Sequence, residues 1–314
     1  CDDCSSGTYN TSDDGDDYDE DGICDDSDVT IAIDGVNLVS FYAIPEDNSI
    51  SSIFSQLEDY SPGIMAEANS AIYINDMWLG GLLDIDPEDG YWVLTDVDAP
   101  FDLSVEGIPT DPSLEYDLHL YSNLISYPFN GSAPIAETIP ASTQGSINAI
   151  FGEGVAAINS PNGWLGGLMD LSGSKGYWFI ANEPVSFIYN PPTEGSTARQ
   201  VSKIKSVPVE YGFKQSMNQA FYFVNSATIG GEDIEKEDLI IAYNDAVIVG
   251  SRYWYGEVTD VPAMGTMGTG ASDTYAGYCT LDDQVTFSVW DESEQKLIDM
   301  VADVETNWEN NSYK

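Results

Sequence analysis

The chain has 314 residues, and its hydrophobic fraction of 42% and aromatic fraction of 12% are too high for a disordered protein. It is long enough for two or three domains. It carries 54 Asp and Glu against 9 Lys and Arg, a formal net charge of -45. This balance argues against nucleic acid and anionic membrane surfaces as partners, because binding them requires Lys and Arg.

The charge is unevenly distributed. Residues 1–174 contain 33 acidic residues and no Lys or Arg, and the first basic residue is Lys175. Repulsion between these acids opposes compactness unless cations offset it. We therefore expect a cation-rich medium and bound divalent ions.

The first predicted element is an acidic arm, residues 1–30. Its stretch DYDEDGICDDSD has the ligand order of a twelve-residue calcium loop, with carboxylates at positions 1, 3, 5, 9 and 12, Gly at 6 and a main-chain carbonyl at 7. Dense oxygen ligands favour Ca²⁺ over zinc. The predicted ligands are Asp17, Asp19, Asp21, Ile23 through its carbonyl, Asp25 and Asp28.

The loop departs from an EF-hand, because Asp28 replaces the usual Glu and no long helices flank it. It resembles the Asp-rich, Cys-containing loops of thrombospondin type 3 repeats and dockerin-like secreted modules. This resemblance covers only the arm. It implies an extracellular segment held by Ca²⁺, with Asp13, Asp14 and Asp16 as ligands of a second ion. The alternative is an acidic arm without fixed structure.

The chain has four cysteines, Cys1, Cys4, Cys24 and Cys279. An even number in a chain of this composition favours disulfides and an oxidising compartment. Three pairings are possible, and the favoured one joins Cys4 to Cys24 and Cys1 to Cys279. Two alternatives stay open: acylation of Cys1 as in a bacterial lipoprotein, and zinc bound by the first three cysteines.

An internal repeat follows the arm. WLGGLLDIDPEDGYWVLT at 78–95 matches WLGGLMDLSGSKGYWFIA at 164–181, an offset of 86 residues. The same offset aligns NLVS at 37–40 with NLIS at 123–126. A constant offset without a gap predicts two tandem α+β modules, residues 31–110 and 111–190.

Within module 1 the pattern predicts a strand over NLVSFYAI, a short helix from Ile50 to Leu57, a strand at 71–74 and a Trp-Leu-Gly-Gly turn. Strands at 91–94 and 101–105 complete it. In module 2, the spacing of Ile147, Ile150 and Phe151 predicts the counterpart of the helix. The stretch DIDPEDG is a partial calcium loop, but its counterpart DLSGSKG lacks the carboxylates, so a turn is the favoured interpretation.

A linker at 191–204 leads to a third domain, residues 205–314, whose β-rich runs predict a β-sandwich. The fold class is therefore multidomain and mainly β with short helices. The cluster Tyr253, Trp254 and Tyr255 lies beside a turn and is a candidate for ligand contact, for example with glycans.

No catalytic signature is found, so we expect a protein that is not an enzyme. The one histidine, His119, fits a solvent-facing strand position, and neither a zinc-hydrolase nor a nucleotide-binding motif is present. No window approaches the length of a transmembrane helix, which predicts no membrane insertion.

The repeats, with their Trp-x-Gly-x-Leu and Gly-Tyr-Trp signatures, and the β-rich third domain resemble modular secreted or cell-surface proteins of environmental bacteria. The favoured hypothesis is a non-catalytic extracellular structural protein, a Ca²⁺-stabilised subunit that self-associates into a homopolymer such as a filament, sheath or surface layer. The alternative is a secreted adhesin or carbohydrate-binding protein.

Overall fold

The computed structural model describes residues 28–192, 205–267 and 273–314, and strands dominate all three ranges. The prediction of a mainly β, multidomain fold with short helices is confirmed. These residues form two compact units. The first comprises 28–146 and 170–192, and the second comprises 147–169, 205–267 and 273–314. The predicted division into five segments is not tested by these units and stays a prediction.

Residues 28–110 form nine strands, one α-helix and a 3-10 helix at Ser55–Tyr60. The side chain of Ser49 caps the α-helix by accepting a hydrogen bond from the Ser52 N–H. The elements are β1 (Asp28–Ile33), β2 (Val36–Val39), β3 (Ala43–Ile44), α1 (Ile50–Ile53), β4 (Gly63–Met65), β5 (Ser70–Ile74), β6 (Met77–Gly80), β7 (Tyr91–Leu94), β8 (Phe101–Glu106) and β9 (Ile108–Pro109).

Five of these strands form one antiparallel sheet in the order β2-β7-β4-β5-β6, so β6 is an edge strand. β1 pairs with β8, placing Val29 opposite Val105 and Ile31 opposite Leu103. These alternate residues face inward, as expected for strands with one buried side. They join the buried side chains of α1 and the sheet in one hydrophobic core.

Residues 111–192 repeat the pattern. The elements are β10 (Glu115–Leu118), β11 (Tyr121–Ile125), β12 (Ser132–Pro134), α2 (Ile135–Thr138), α3 (Ala141–Gln144), β13 (Ile147–Phe151), β14 (Ala156–Ser160), β15 (Gly163–Gly166), β16 (Asp170–Ser172), β17 (Tyr177–Ala181) and β18 (Val185–Ile188).

The strands of the two modules correspond at the 86-residue offset. Pairing of β2 with β7 matches pairing of β11 with β17 in the first unit. The antiparallel run β4, β5, β6 matches β13, β14, β15 in the second unit. The sequence repeat is therefore a structural repeat.

The rest of the second unit contains eight strands and two 3-10 helices, at Val209–Tyr211 and Asp273–Tyr275. A four-stranded sheet, β23-β22-β25-β26, and the β19–β24 pair are consistent with a β-sandwich. The strands are β19 (Gln219–Val224), β20 (Thr228–Ile229), β21 (Glu232–Asp233), β22 (Leu239–Asn244), β23 (Val247–Tyr253), β24 (Thr259–Met264), β25 (Val285–Asp291) and β26 (Lys296–Asp299).

Three local expectations were wrong. The predicted strand over 37–44 is broken between β2 and β3. The Trp-Leu-Gly-Gly segment is edge strand β6 and its exit, and the turn lies at Asn75 and Asp76, both at positive φ. The segment around Ile150, predicted as a helix, is strand β13. The prediction failed because the spacing of apolar residues in a short run buried on both sides does not distinguish a strand from a buried helix. The helix that corresponds to α1 lies earlier, at α2, and α3 corresponds to the 3-10 helix at Ser55–Tyr60.

Candidate functional sites

Of the predicted calcium ligands, only Asp28 lies within the described residues. It begins β1, opposite Glu106, and its main-chain oxygen accepts a hydrogen bond from the Tyr42 hydroxyl. The other five ligands and the residues proposed for a second ion lie outside, so the calcium loop stays a prediction. Across residues 28–192, 205–267 and 273–314, no group of three His, Cys, Asp or Glu is arranged to hold a metal ion.

Cys279 is buried and has no disulfide partner among the described residues. Burial would raise the pKa of its thiol to about 12, which favours the protonated form at neutral pH. Its predicted partner Cys1, and both members of the Cys4–Cys24 pair, lie outside the described residues. Both disulfides therefore stay predictions.

The DIDPEDG stretch forms a turn, as expected. The Asp86 carboxylate accepts a hydrogen bond from the Glu88 N–H at 3.0 Å, and the Asp86 carbonyl accepts one from the Asp89 N–H at 3.2 Å. Burial raises the pKa of Asp89 to about 6, with a further contribution from Asp86, Glu88 and Glu67. The turn therefore concentrates negative charge that has been partly removed from water.

This turn packs against strand β11 of module 2. The Gly90 N–H donates to the Leu124 carbonyl at 3.2 Å, and the Ser126 N–H donates to the Glu88 carbonyl at 2.9 Å. Asp89 also forms a β-bridge with Ile125. A main-chain docking of this kind fixes the register of the two segments.

The equivalent turn of module 2 makes the same contacts with β2 of module 1. The Gly176 N–H donates to the Leu38 carbonyl at 3.2 Å, and the Ser40 N–H donates to the Ser174 carbonyl at 3.3 Å. A β-bridge joins Val39 to Lys175. The contacts are reciprocal, as in an isologous dimer, so these parts of the two modules are related by an approximate internal two-fold.

The Gly and Tyr of the Gly-Tyr-Trp motif support the two turns and their packing against the opposite module. The buried Tyr91 hydroxyl accepts a hydrogen bond from the Asp86 N–H at 2.7 Å, and the Tyr177 hydroxyl accepts the matching bond from the Ser172 N–H at 2.8 Å. A Cβ on Gly90 would lie 2.9 Å from the Ile125 carbonyl oxygen. The shared Gly and Tyr of this motif are therefore explained by folding and by pairing of the modules.

His119 is exposed, as predicted, but it lies in the connection between β10 and β11 rather than in a strand, and it has a specific contact. Its Nε2 lies 2.5 Å from Oε1 of Glu67 in the β4–β5 loop, and the other Glu67 oxygen accepts a hydrogen bond from the Leu124 N–H at 2.9 Å. The hydrogen bond to the Leu120 carbonyl and the Glu67 carboxylate raise the pKa of His119. This pair gives the base-poor first unit a titratable ionic contact.

The candidate ligand cluster has little open aromatic surface. Trp254 is only 9% exposed, and the Lys205 ammonium lies 4.0 Å from the centre of the Tyr253 ring. The Tyr255 hydroxyl donates a hydrogen bond to the Asp260 carboxylate at 2.7 Å. The cluster therefore offers no free Trp face on which a sugar ring would stack.

Sequence reasoning missed a buried ion pair beside this cluster. Arg252 and Asp260 are 6% and 0% exposed, and their side chains lie 3.4 Å apart. The Asp260 carboxylate also accepts the Ala156 N–H at 2.7 Å, and the Arg252 guanidinium donates to the Gly154 carbonyl. Burial raises the pKa of Asp260, opposed by Arg252. The pair fastens the β13–β14 segment to the C-terminal strands.

Sequence reasoning also missed the outer face of the β5–β6 hairpin. In the β5–β6 hairpin, Ile72 lies opposite Leu79 and Ile74 lies opposite Met77. These four large apolar side chains are 47–57% exposed. Tyr73 and Trp78 occupy the opposite face, where their ring centroids lie 5.4 Å apart with the ring planes tilted by 59°. The sequence signal was present: both strands are apolar at successive positions, so in an edge hairpin one face has to remain exposed. We call these four residues the hairpin patch.

A pocket of about 290 Å³ lies on the Trp78 side of this hairpin. Its walls combine apolar side chains with two hydroxyls and a carboxylate. The lining residues are Ser49, Ile50, Ser51, Ala71, Trp78, Gly80, Leu82, Leu83 and Asp84.

Comparison with known proteins gives no relative: no protein-family model, curated protein or solved structure matches the chain. In the part of the chain that the structure describes, no helix is long and apolar enough to cross a membrane.

Proposed function

We propose that this chain is a non-catalytic structural subunit of an extracellular assembly, such as a filament, sheath or surface layer, stabilised by Ca²⁺. The observation that carries the proposal is the hairpin patch, together with its position on an edge strand. Contiguous apolar surface on a sheet edge is a marker of association with another chain.

The negative charge of the chain makes this association dependent on cations. Among the described residues of the first unit, Lys175 is the only Lys or Arg, so two copies that approach through this unit repel each other at low ionic strength. Cations that bind or screen the carboxylates remove that barrier. The spacing of Asp17, Asp19 and Asp21 supports Ca²⁺ as one such cation.

Electron microscopy and sedimentation of the purified chain with 5 mM Ca²⁺ and with EDTA test the proposal. We expect ordered polymers with Ca²⁺ and their loss, or a lower Tm, with EDTA. Absence of any assembly over a range of Ca²⁺ and salt concentrations would contradict it.

A pair of variants separates a specific calcium loop from general screening. Asp17→Asn with Asp21→Asn removes two predicted ligands, whereas Asp59→Asn with Asp102→Asn removes two exposed acids elsewhere. We expect the first pair alone to raise the Ca²⁺ concentration needed for assembly. Equal shifts in both pairs would reduce the role of calcium to screening.

Binding of a small hydroxylated ligand, such as a glycan, is the second candidate function. The observation that favours it is the pocket beside Trp78, where Ser49, Ser51 and Asp84 offer polar contacts next to apolar walls. A glycan array with wild type and with Ser51→Leu tests it. Binding that is lost in this variant, while Tyr255→Phe binds normally, locates the site in the pocket rather than in the Tyr253–Tyr255 cluster.

A further inference from the structure

The imidazole of His119 lies between two hydrogen-bond acceptors. Its Nδ1 is 2.8 Å from the Leu120 carbonyl oxygen, and its Nε2 is 2.5 Å from Oε1 of Glu67. A neutral imidazole has one N–H and one lone pair, so it can donate to only one of two ionised or carbonyl oxygens. The imidazolium donates to both. The geometry at His119 therefore requires a proton that a neutral ring beside an ionised carboxylate does not have.

The main chain at His119 is held by the side-chain amide of Asn123, which is 2% exposed. This amide accepts the His119 N–H at 2.8 Å and donates to the carbonyls of His119 and Tyr121, both at 2.9 Å. Tyr121 has a φ of 76°, a left-handed conformation that a bulky residue rarely adopts, and Gly35 has the same φ at the equivalent position of module 1. The turn that presents the imidazole is therefore strained and kept in one conformation by its hydrogen bonds.

Glu67 connects this turn to strand β11. It lies in the β4–β5 loop of module 1, and its second carboxylate oxygen accepts the Leu124 N–H at 2.9 Å. The Leu124 carbonyl accepts the Gly90 N–H of the same module at 3.2 Å. Leu124 is 1% exposed, so its N–H is withdrawn from water and depends on the carboxylate. One carboxylate of module 1 thus receives hydrogen bonds from two segments of module 2.

Several acidic residues lie near this contact. They belong to the DIDPEDG turn and to β10, and are Asp86, Glu88, Asp89 and Asp117. Burial is the main cause of the raised pKa of Asp89, and Glu67 adds to it. Lys175, the one Lys or Arg in the described part of the first unit, lies in the equivalent turn of module 2. With a neutral His119, Glu67 would lie beside like charges without the cation that it now contacts.

We propose that His119 and Glu67 form a proton-dependent latch between the two modules. The protonated imidazole holds the Glu67 carboxylate, and this carboxylate holds Leu124 of β11. When His119 loses its proton, one ring nitrogen no longer donates, the carboxylate turns towards water, and the β4–β5 loop loosens from module 2. The latch acts inside one chain and is independent of any assembly.

The latch closes as the pH falls. The Leu120 carbonyl and the Glu67 carboxylate raise the pKa of His119 above its ordinary value of 6.5. The contact is therefore complete below about pH 6.5 and is lost as the pH rises through the raised pKa of the folded chain. Asp89 titrates in a lower window, because its pKa is about 6. The His119 side chain is 60% exposed, so water screens the ion pair, and we expect local loosening rather than unfolding.

Nuclear magnetic resonance can follow the latch directly. The chain has one histidine, so in protein without a histidine tag every imidazole signal belongs to His119. A titration of the ring nitrogen and carbon shifts from pH 5 to pH 9 gives its pKa and shows which ring nitrogens carry protons. We expect both to carry protons at pH 6, with a pKa above that of the same residue in the urea-unfolded chain. A folded pKa equal to or below the unfolded one would overturn the proposal.

Glu67→Gln tests the partner. The amide oxygen still accepts the Leu124 N–H, and the amide N–H₂ donates to a neutral imidazole, so the contact no longer needs the proton. The pKa of His119 should fall relative to wild type. Glu46→Gln removes the same charge from an exposed position between β3 and α1 and should leave the pKa of His119 unchanged. Equal falls in both variants would assign the shift to the net charge of the chain and reject the latch.

Hydrogen exchange of the Leu124 amide measures the release. After correction for the intrinsic pH dependence of exchange, protection of this amide in wild type should be about tenfold lower at pH 8 than at pH 6. His119→Gln donates to Glu67 at every pH and should abolish the difference; its exposed position makes it the reference if Glu67→Gln unfolds. The Phe179 amide, in strand β17, should keep its protection throughout. An unchanged pH response in His119→Gln, or an equal loss at Phe179, would contradict a local latch.

Discussion

Gly90 and Gly176 meet at the centre of the paired modules: a Cβ on Gly176 would lie 3.3 Å from the Cα of Gly90 and 2.6 Å from the Val39 carbonyl oxygen. Real Cβ atoms do not approach a backbone oxygen so closely. The two residues stand at the same position of the repeat, so one requirement, close approach of the opposite module, accounts for both.

Replacement of this glycine should weaken the fold. Gly176→Ala is expected to lower the free energy of unfolding by about 1–3 kcal/mol, because the added methyl forces the Val39 backbone to move. Urea denaturation measures the change. Gly145→Ala is the matched control, since its Cβ would meet nothing within 4 Å and its φ of -63° suits Ala. Equal losses in both variants would contradict the close-approach explanation.

The tyrosine that follows each glycine should contribute through its hydroxyl. Tyr91→Phe and Tyr177→Phe each leave one turn N–H, of Asp86 or Ser172, without its acceptor. We expect a loss of about 1–2 kcal/mol in each case, the usual cost of an unsatisfied buried donor. Tyr121→Phe, with a side chain that is 69% exposed, should change stability by less than about 0.5 kcal/mol.

The repeat was readable from the sequence because its 86-residue offset is constant, and β2, β4, β5, β6 and β7 all have counterparts at that offset in module 2. The structural role of its Gly-Tyr-Trp motif could not be read from the sequence. Gly90 and Gly176 look like turn residues in sequence, and only the folded chain shows that each contacts the other module. A single sequence records which positions are shared, and it does not record what they contact.

The two missed sites have a similar explanation. Arg252 and Asp260 are eight residues apart in a chain rich in acids, so nothing in the sequence marks them as a buried pair. The hairpin patch was not predicted because the sequence shows Ile72 only as part of an apolar strand, and its side chain is exposed in the structure. Whether such residues are buried depends on which strand lies at the edge of the sheet, and that is a property of topology.

Asp89 should make the stability of the chain depend on pH. Its pKa is raised from 3.8 to about 6, so the folded chain binds this proton more tightly than the unfolded chain. Stability should therefore rise as pH falls from about 7 to 4, and Asp89→Asn should remove part of that rise. At pH 8 this variant should be more stable than wild type by about 1 kcal/mol, allowing for its partial exposure.

Thermal unfolding at pH 8 and pH 5 measures this difference. The control is Asp102→Asn, which removes one negative charge from an exposed position of β8 and keeps the turn intact. If both variants gain equally at pH 8, the effect comes from the net charge of the chain rather than from the buried turn.

The buried ion pair should be among the most sensitive positions of the second unit. Arg252→Met removes the counter-charge of Asp260, which is fully buried, and also the hydrogen bond to the Gly154 carbonyl. We expect a loss of about 3–5 kcal/mol, because an uncompensated carboxylate then remains in the interior. Lys236→Met, which removes an exposed basic residue from the same unit, should change stability by less than about 0.5 kcal/mol.

Combining Arg252→Met with Asp260→Asn should recover part of the loss, since the buried charge is then absent. A double variant no more stable than Arg252→Met alone would place the cost in lost packing instead.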